Sequence, residues 1–271
     1  ISVFLTNSSF KLEAPINAGK TFPGLRFAKA SNSFLNINKP SIIRYNIKPS
    51  KRGTNDVLLT EWLTFSGIRP VLLVLVGVLA FVVTNYARTN FRLDPRRRSF
   101  ITKLLGCLSA VLILIVSNNI IVFFAAWMAI SLQLHSLLMF YPERDRAVLA
   151  AHKKFILARC SESFLGTGLL LMYLHTGSLQ LDTILQSVTA TNAAPELIQH
   201  IAGLCLVMAA LIKCAQLPLH GWLIQVVEAP TPVSALLHAG IINLGGFLLL
   251  TTTPIWSNSA PAVWLLCIVS A

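Results

Sequence analysis

The stretch KCAQLPLHGWLIQVVEAPTPVSALLHAG, residues 213–240, sets a lysine, a glutamate, two histidines and three prolines inside the longest apolar region of the chain. An ionisable group at membrane depth is costly, so its presence marks a functional site by default. A lysine out of water gives up its proton more readily, which lets it take up and release protons under working conditions. Pro218 follows Lys213 by five residues. It cannot donate a helical hydrogen bond, so the carbonyl of residue 214 loses its usual donor and water fits the gap. Lys213 therefore reads as a proton-relay residue rather than one snorkelling to the interface. Gln216 and His220 continue a polar trail along the break.

Other ionisable residues are candidates of less definite role. His238 lies just beyond the Pro230-Thr231-Pro232 turn, and an imidazole suits proton transfer near neutral pH; it fits a relay or a hydrogen-bonded core residue. Glu228 fits a solvated loop near a helix start as well as a functional position. Arg159 and Glu162 are three apart and so share a helix face, as a structural lock or as groups that tune a nearby lysine. His135, on another apolar segment, reads as a hydrogen-bonded core residue. There is no HExxH, no Gly-rich phosphate loop, no nucleophile elbow and no carboxylate pair, so neither a catalytic centre nor a metal site is expected. Cys107, Cys160, Cys205, Cys214 and Cys267 lack zinc-site spacing.

The elements that must position these groups are membrane helices. Of 271 residues 55% are hydrophobic and only 12% charged, about half the charged share of a soluble domain. The fold class expected is all-α and polytopic, with about six transmembrane helices, one broken at proline. Spans are expected near 68–86, 101–117, 120–141, 155–175, 198–228 (broken) and 232–253, and another helix starts at 261. Residues 1–56 form a basic, loosely structured extension whose composition resembles the end of an organellar targeting peptide or a basic arm lying on lipid headgroups or a partner. Net charge is +12, concentrated in the first third and in loops, where it orients the chain and meets anionic lipid; nucleic acid is not expected as a partner. The basic loops 88–98 and 142–154 fall on the cytoplasmic side or its organellar equivalent, and 118–119 and 176–197 on the other.

KCAQLPLHGWL followed by EAPTPVSALLHA resembles the signature of the antiporter-like, proton-translocating subunits of respiratory NADH dehydrogenase. Within that superfamily, HGWLIQVVEAPTPVSALLHAGIINLGGFLL, FYPERDRAVLAAHKKF and WMAISLQLHSLL are most similar to the membrane subunits of the DAB bicarbonate-accumulating complexes. The resemblance spans roughly residues 57–271. It implies that Lys213 relays protons at the helix break and that His238 continues the path, and Glu162 falls where the family usually has an acid after an arginine. Respiratory members carry a glutamate after the tryptophan of the third span, whereas here Met128 follows Trp127. Another partner for Lys213 is then needed, and Glu162 is the first candidate. The residues present correspond to one repeat of the antiporter-like fold, so a partner chain or a longer protein is expected to supply the second.

The resemblance implies a proton-conducting subunit coupled to a soluble, zinc-containing, carbonic-anhydrase-like partner that hydrates CO2, with the zinc in the partner and no cofactor in this chain. The alternatives are a split or shortened subunit of an NADH or ferredoxin:quinone oxidoreductase, and a non-conducting structural subunit of a large membrane complex. The location expected is the bacterial cytoplasmic membrane, or an organellar inner or thylakoid membrane.

Overall fold

A computed structural model describes residues 63–64, 67–140, 145–190, 196–216, 220–221, 223 and 230–270. The expected extension over 1–56 lies outside the described residues, as do Pro218 and Glu228. Gly53–Ala271 forms one unit. Among the described residues there is no β-strand, only two isolated bridges, Leu63 with Ser117 and Asn119 with Gln180. The fold class is all-α.

Among the described residues four helices are long and apolar enough to cross a membrane: α1 (Arg69–Asn90), α2 (Arg97–Val116), α3 (Ile120–Leu138) and α4 (Asp145–Thr176), the last over Val148–Thr176. Then come α5 (Leu181–Ala190) and α6 (Leu197–Lys213). Thr231–Leu236 forms α7, which runs into a π-helical segment, Leu237–Ile241. Leu244–Thr251, Thr253–Trp256 and Ala260–Ser270 form α8, α9 and α10.

Helices α1 to α4 pack in chain order, and α6 lies along α4 and carries α8, α9 and α10 on its other sides. The sequence dictates the α4–α6 contact. Small residues let two membrane helices approach closely: Ser161 Oγ of α4 donates to the Ala209 carbonyl of α6 at 2.9 Å, and a Cβ at Gly168 would lie 3.3 Å from the Ala202 carbonyl oxygen. The 32 residues of α4 extend about 48 Å, well beyond the roughly 30 Å of a hydrocarbon core. Most of the basic loop expected over 142–154 is therefore helix.

The two ends of the bundle differ. At one, the Asn118-Asn119 link is held by backbone pairing to the segment after α4: Ile120 N–H donates to the Leu179 carbonyl at 3.0 Å and Leu181 N–H to that of Asn118 at 2.6 Å. Asn119 also caps α3, its Oδ1 accepting from Ile121 N–H at 2.9 Å. Near the other end Phe91 and Phe100 stack at 4.2 Å, with Phe140 edge-on at 4.9 Å from Phe100. The basic linker between α1 and α2 lies there.

Candidate functional site

Helix α6 ends at Lys213, five residues before the expected break at Pro218. The terminator is a left-handed residue, Ala215, with φ 51°. Ala215 N–H donates to the Ile212 carbonyl and Gln216 N–H to that of Leu211, both at 3.2 Å. These are the two bonds of a Schellman motif, which absorbs the orphan carbonyls of a helix end. Alanine in this conformation costs roughly 1–2 kcal/mol relative to glycine. Helix α8 closes over the break. A Cβ at Gly245 would lie 2.6 Å from the Ala210 carbonyl oxygen and overlap Cys214 Sγ. The Cys214 thiol donates to the Ile242 carbonyl at 3.3 Å.

Lys213 itself is 7% exposed. Its Nζ donates to Ser131 Oγ at 3.2 Å and stands 4.6 Å from the centre of the Trp127 ring, a cation–π distance. Both partners come from α3, one turn apart. The position after Trp127 is Met128, half-buried. Trp127 and Ser131 thus provide the ammonium's direct contacts among the described residues, and neither is a carboxylate. Glu162 is 4% exposed and is engaged by Arg159, whose Nη2 lies 2.7 and 2.8 Å from its two carboxylate oxygens. The Arg159 guanidinium also lies 5.0 Å from the Phe155 ring. Glu162 attracts Lys213 through space without touching it.

The remaining candidates are dispersed. His238 lies in the π-helical segment with its side chain exposed. Such segments mark functional positions in many helices; here Ile241 and Ile242 of this region line a wall facing Lys213. His220 is half-buried, and its Nδ1 has no hydrogen-bond partner among the described residues. Neither His220 nor Gln216 touches the Lys213 ammonium among the described residues. His135 packs 4.8 Å from Phe155 and 5.8 Å from His152. Pro230 caps α7 and Pro232 is buried in its first turn, where a proline costs no hydrogen bond. The Pro-Thr-Pro turn therefore starts a helix, and Ala215 makes the observed break.

One residue of the site escapes a reading by segment. Lys154 belongs to a basic cluster in the sequence, yet in the structure it lies within α4, 4% exposed, with its Nζ donating to the Ser131 carbonyl at 2.9 Å. Its position in the pattern carries the signal: Ala151, Lys154, Ala158, Ser161 and Leu165 recur at three- and four-residue spacing and form one buried stripe. The neighbouring Lys153 falls off that stripe. Lys154 and Lys213, with Ser161, Leu134 and Ile241, line a cavity of about 20 Å3. A larger open groove, about 500 Å3, lies at the asparagine end among Asn119, Tyr173 and Gln180.

A bundle of apolar helices with lysines buried at its centre defines an integral, multi-pass membrane protein built to handle charge. Residues 117–271 match the transmembrane family described as NADH:quinone oxidoreductase/Mrp antiporter. The chain belongs to that antiporter-like, proton-translocating family.

Its relatives include the probable inorganic carbon transporter subunit DabB of Hydrogenovibrio crunogenus, 49% identical over 77% of this chain and 40% of that protein. DabB2 of Halothiobacillus neapolitanus is 36% identical over 78% of this chain and 38% of its own length. NADH-ubiquinone oxidoreductase chain 5 of Candida parapsilosis is 33% identical over 77% of this chain and 37% of its length. Among solved structures, a chain of the Mrp complex from Dietzia sp. DQ12-45-1b superposes with a TM-score of 0.62 at 25% identity, over 72% of this chain and 22% of that one. The chain spans about two fifths of the length of the curated relatives it matches. The relatives are subunits of multi-subunit complexes, and the resemblance to DAB-type subunits holds.

Proposed function

We propose that this chain carries protons through the membrane by way of Lys213 and couples their movement to energy-driven CO2 hydration and bicarbonate accumulation by a partner. The observation that carries the reading is an ammonium buried at a helix terminus in the core of a membrane bundle, held by a hydroxyl and an aromatic face. Such a group changes charge without breaking an ion pair. Arg159 and Glu162 supply a fixed field beside it, and His220 and His238 offer imidazoles further along, His238 at the exposed face where the path leaves this chain. Glu228 and His135 are supporting positions.

The carbon branch is supported by the 49% identity to DabB against 33% to the respiratory chain, and by Met128 in place of a glutamate. On this reading the partner is a soluble, carbonic-anhydrase-like protein that holds the zinc and does the hydration. Such a metal would lower the pKa of its bound water and generate hydroxide, and this chain would supply the proton movement that makes the reaction directional.

The test is Lys213→Met in the assembled complex. Proton-driven bicarbonate uptake should fall about 100-fold or more, the scale of losing a proton-transfer group, with assembly unchanged. Undiminished uptake would leave a structural subunit as the better description. Co-purification with a zinc protein supports the carbon branch, whereas flavin or iron–sulfur partners would assign the chain to a quinone oxidoreductase.

A further inference from the structure

We propose that Lys154 and Lys213 form a two-lysine relay that holds one exchangeable proton between them, passed through the cavity they both line. The inference rests on the proton-conduction reading above and adds a residue and a step to it.

The geometry brings the two side chains to one place from different helices. Lys154 reaches from α4 to the backbone oxygen of Ser131, and Lys213 from the end of α6 to the hydroxyl of the same serine. Both side chains also line the same small cavity. The groups around them leave them under-compensated. From α4 come Arg159 and Glu162, already paired; from α3, Trp127, Ser131 and, toward Lys154, His135. Helix α2 offers the Cys107 thiol, and the end of α6 the Cys214 thiol, bonded to the Ile242 carbonyl.

Counting the charges of Arg159, Glu162, Lys154 and Lys213 decides the matter. With both lysines charged, the site holds two buried ammoniums beside a buried carboxylate that the one-third-exposed Arg159 already neutralises. Buried charge without a partner is strongly unfavourable, and a second like charge close by compounds it. One lysine as the neutral amine relieves the excess. The hydrogen bonds do not oppose this: an amine keeps two N–H donors, so both lysines keep their bonds to Ser131 whichever one carries the proton. The hydrogen bonds are therefore no obstacle to the exchange, and the Trp127 face beside Lys213 and the surrounding charges set where the proton rests.

The cavity supplies the route. About 20 Å3 suffices for a single water, which needs two to four polar partners. The polar residues that line it are Lys154, Lys213 and Ser161. In the transfer, one N–H bond breaks at the charged Nζ and its proton passes to the water. A proton of that water forms a new N–H bond at the neutral Nζ. Water is regenerated, no electron moves, and one ammonium and one amine have exchanged places.

Arginine is the decisive replacement, because it keeps a charge and N–H donors but is not deprotonated in proteins. Lys154→Arg and Lys154→Met, each in the full complex reconstituted in liposomes, should both lower proton-driven activity by at least about tenfold with subunit composition unchanged. Because the two lysines act in one step, Lys154→Met combined with Lys213→Met should be no worse than the more severe of the two alone. Wild-type activity in Lys154→Arg overturns the relay and leaves Lys154 a fixed structural cation. Should Lys154→Met fail to assemble, Lys154→Arg and Lys154→Gln, which retain hydrogen-bond donors, decide the matter by the same criterion. Loss in Lys213→Met with full activity in Lys154→Arg overturns only the shared proton, whereas full activity in Lys213→Met overturns the conduction reading itself.

Discussion

At the asparagine end of the bundle Arg69 is buried against a carbonyl and a carboxylate, whereas Lys213 and Lys154 converge on a serine. Arg69 Nη1 donates to the Ser117 carbonyl at 3.3 Å and Nη2 lies 4.0 Å from Asp182 Oδ1, while Thr64 Oγ1 donates to the other Asp182 oxygen at 2.9 Å. Asp182 N–H in turn donates to Asn118 Oδ1 at 3.1 Å. Arginine is a permanent cation, and here it ties the start of α1 to the α2–α3 link and to α5. The lysines are cations that can be discharged, and no carboxylate touches them among the described residues. Burial with a fixed counter-charge makes a fastener; burial beside hydroxyl, carbonyl and aromatic groups makes a site whose charge can change.

Exchanging the two chemistries breaks the contrast most sharply. Lys213→Arg should cut proton-driven uptake about 100-fold with the complex still assembled, whereas Arg69→Lys should leave uptake per assembled complex within about twofold, as both carry a cation at a site that needs only charge. Uptake assays normalised to purified complex measure both. A smaller effect is expected from Arg69→Met, which strands Asp182: about 1–3 kcal/mol of stability, below the range for fully buried pairs because Asp182 is partly exposed. Adding Asp182→Leu should recover part of that loss in a thermal or denaturant unfolding series in detergent. Smallest of all, Ala215→Gly should relieve the left-handed strain at the end of α6. It should raise stability by less than about 1 kcal/mol, because glycine gains freedom in the unfolded chain. An unchanged unfolding midpoint would mean the Schellman bonds already offset the strain.

Much of this arrangement was legible in the sequence. The long apolar runs gave the helices, and the lysine amid apolar residues pointed to the buried ammonium of Lys213, because the cost of burying charge makes such a residue conspicuous. The same rule hid Lys154. Standing beside Lys153, Arg144 and Arg146, it looks like part of a solvated loop, and only the three-and-four spacing of Ala151, Ala158 and Ser161 shows that the face it shares is a buried one. Helix termination also lay beyond composition. Pro218 is the obvious breaker, yet α6 ends at Lys213 through a left-handed alanine, a conformation for which glycine is the usual sign. Partner choice was the third gap: a carboxylate is the expected companion for a buried lysine, and Arg159 had already claimed the nearest candidate, Glu162.

The cavity between the lysines bears on which ion this membrane path accepts. A sodium ion sheds its water only where several oxygen ligands replace the hydration shell. A space for one water, walled by two amines, Ser161 and aliphatic side chains, has too few oxygens to do so, and a metal cation entering it would meet an ammonium. A proton needs only a lone pair. On the relay proposed above, a wall of this chemistry favours protons over sodium without a filter, through what it withholds from a larger ion.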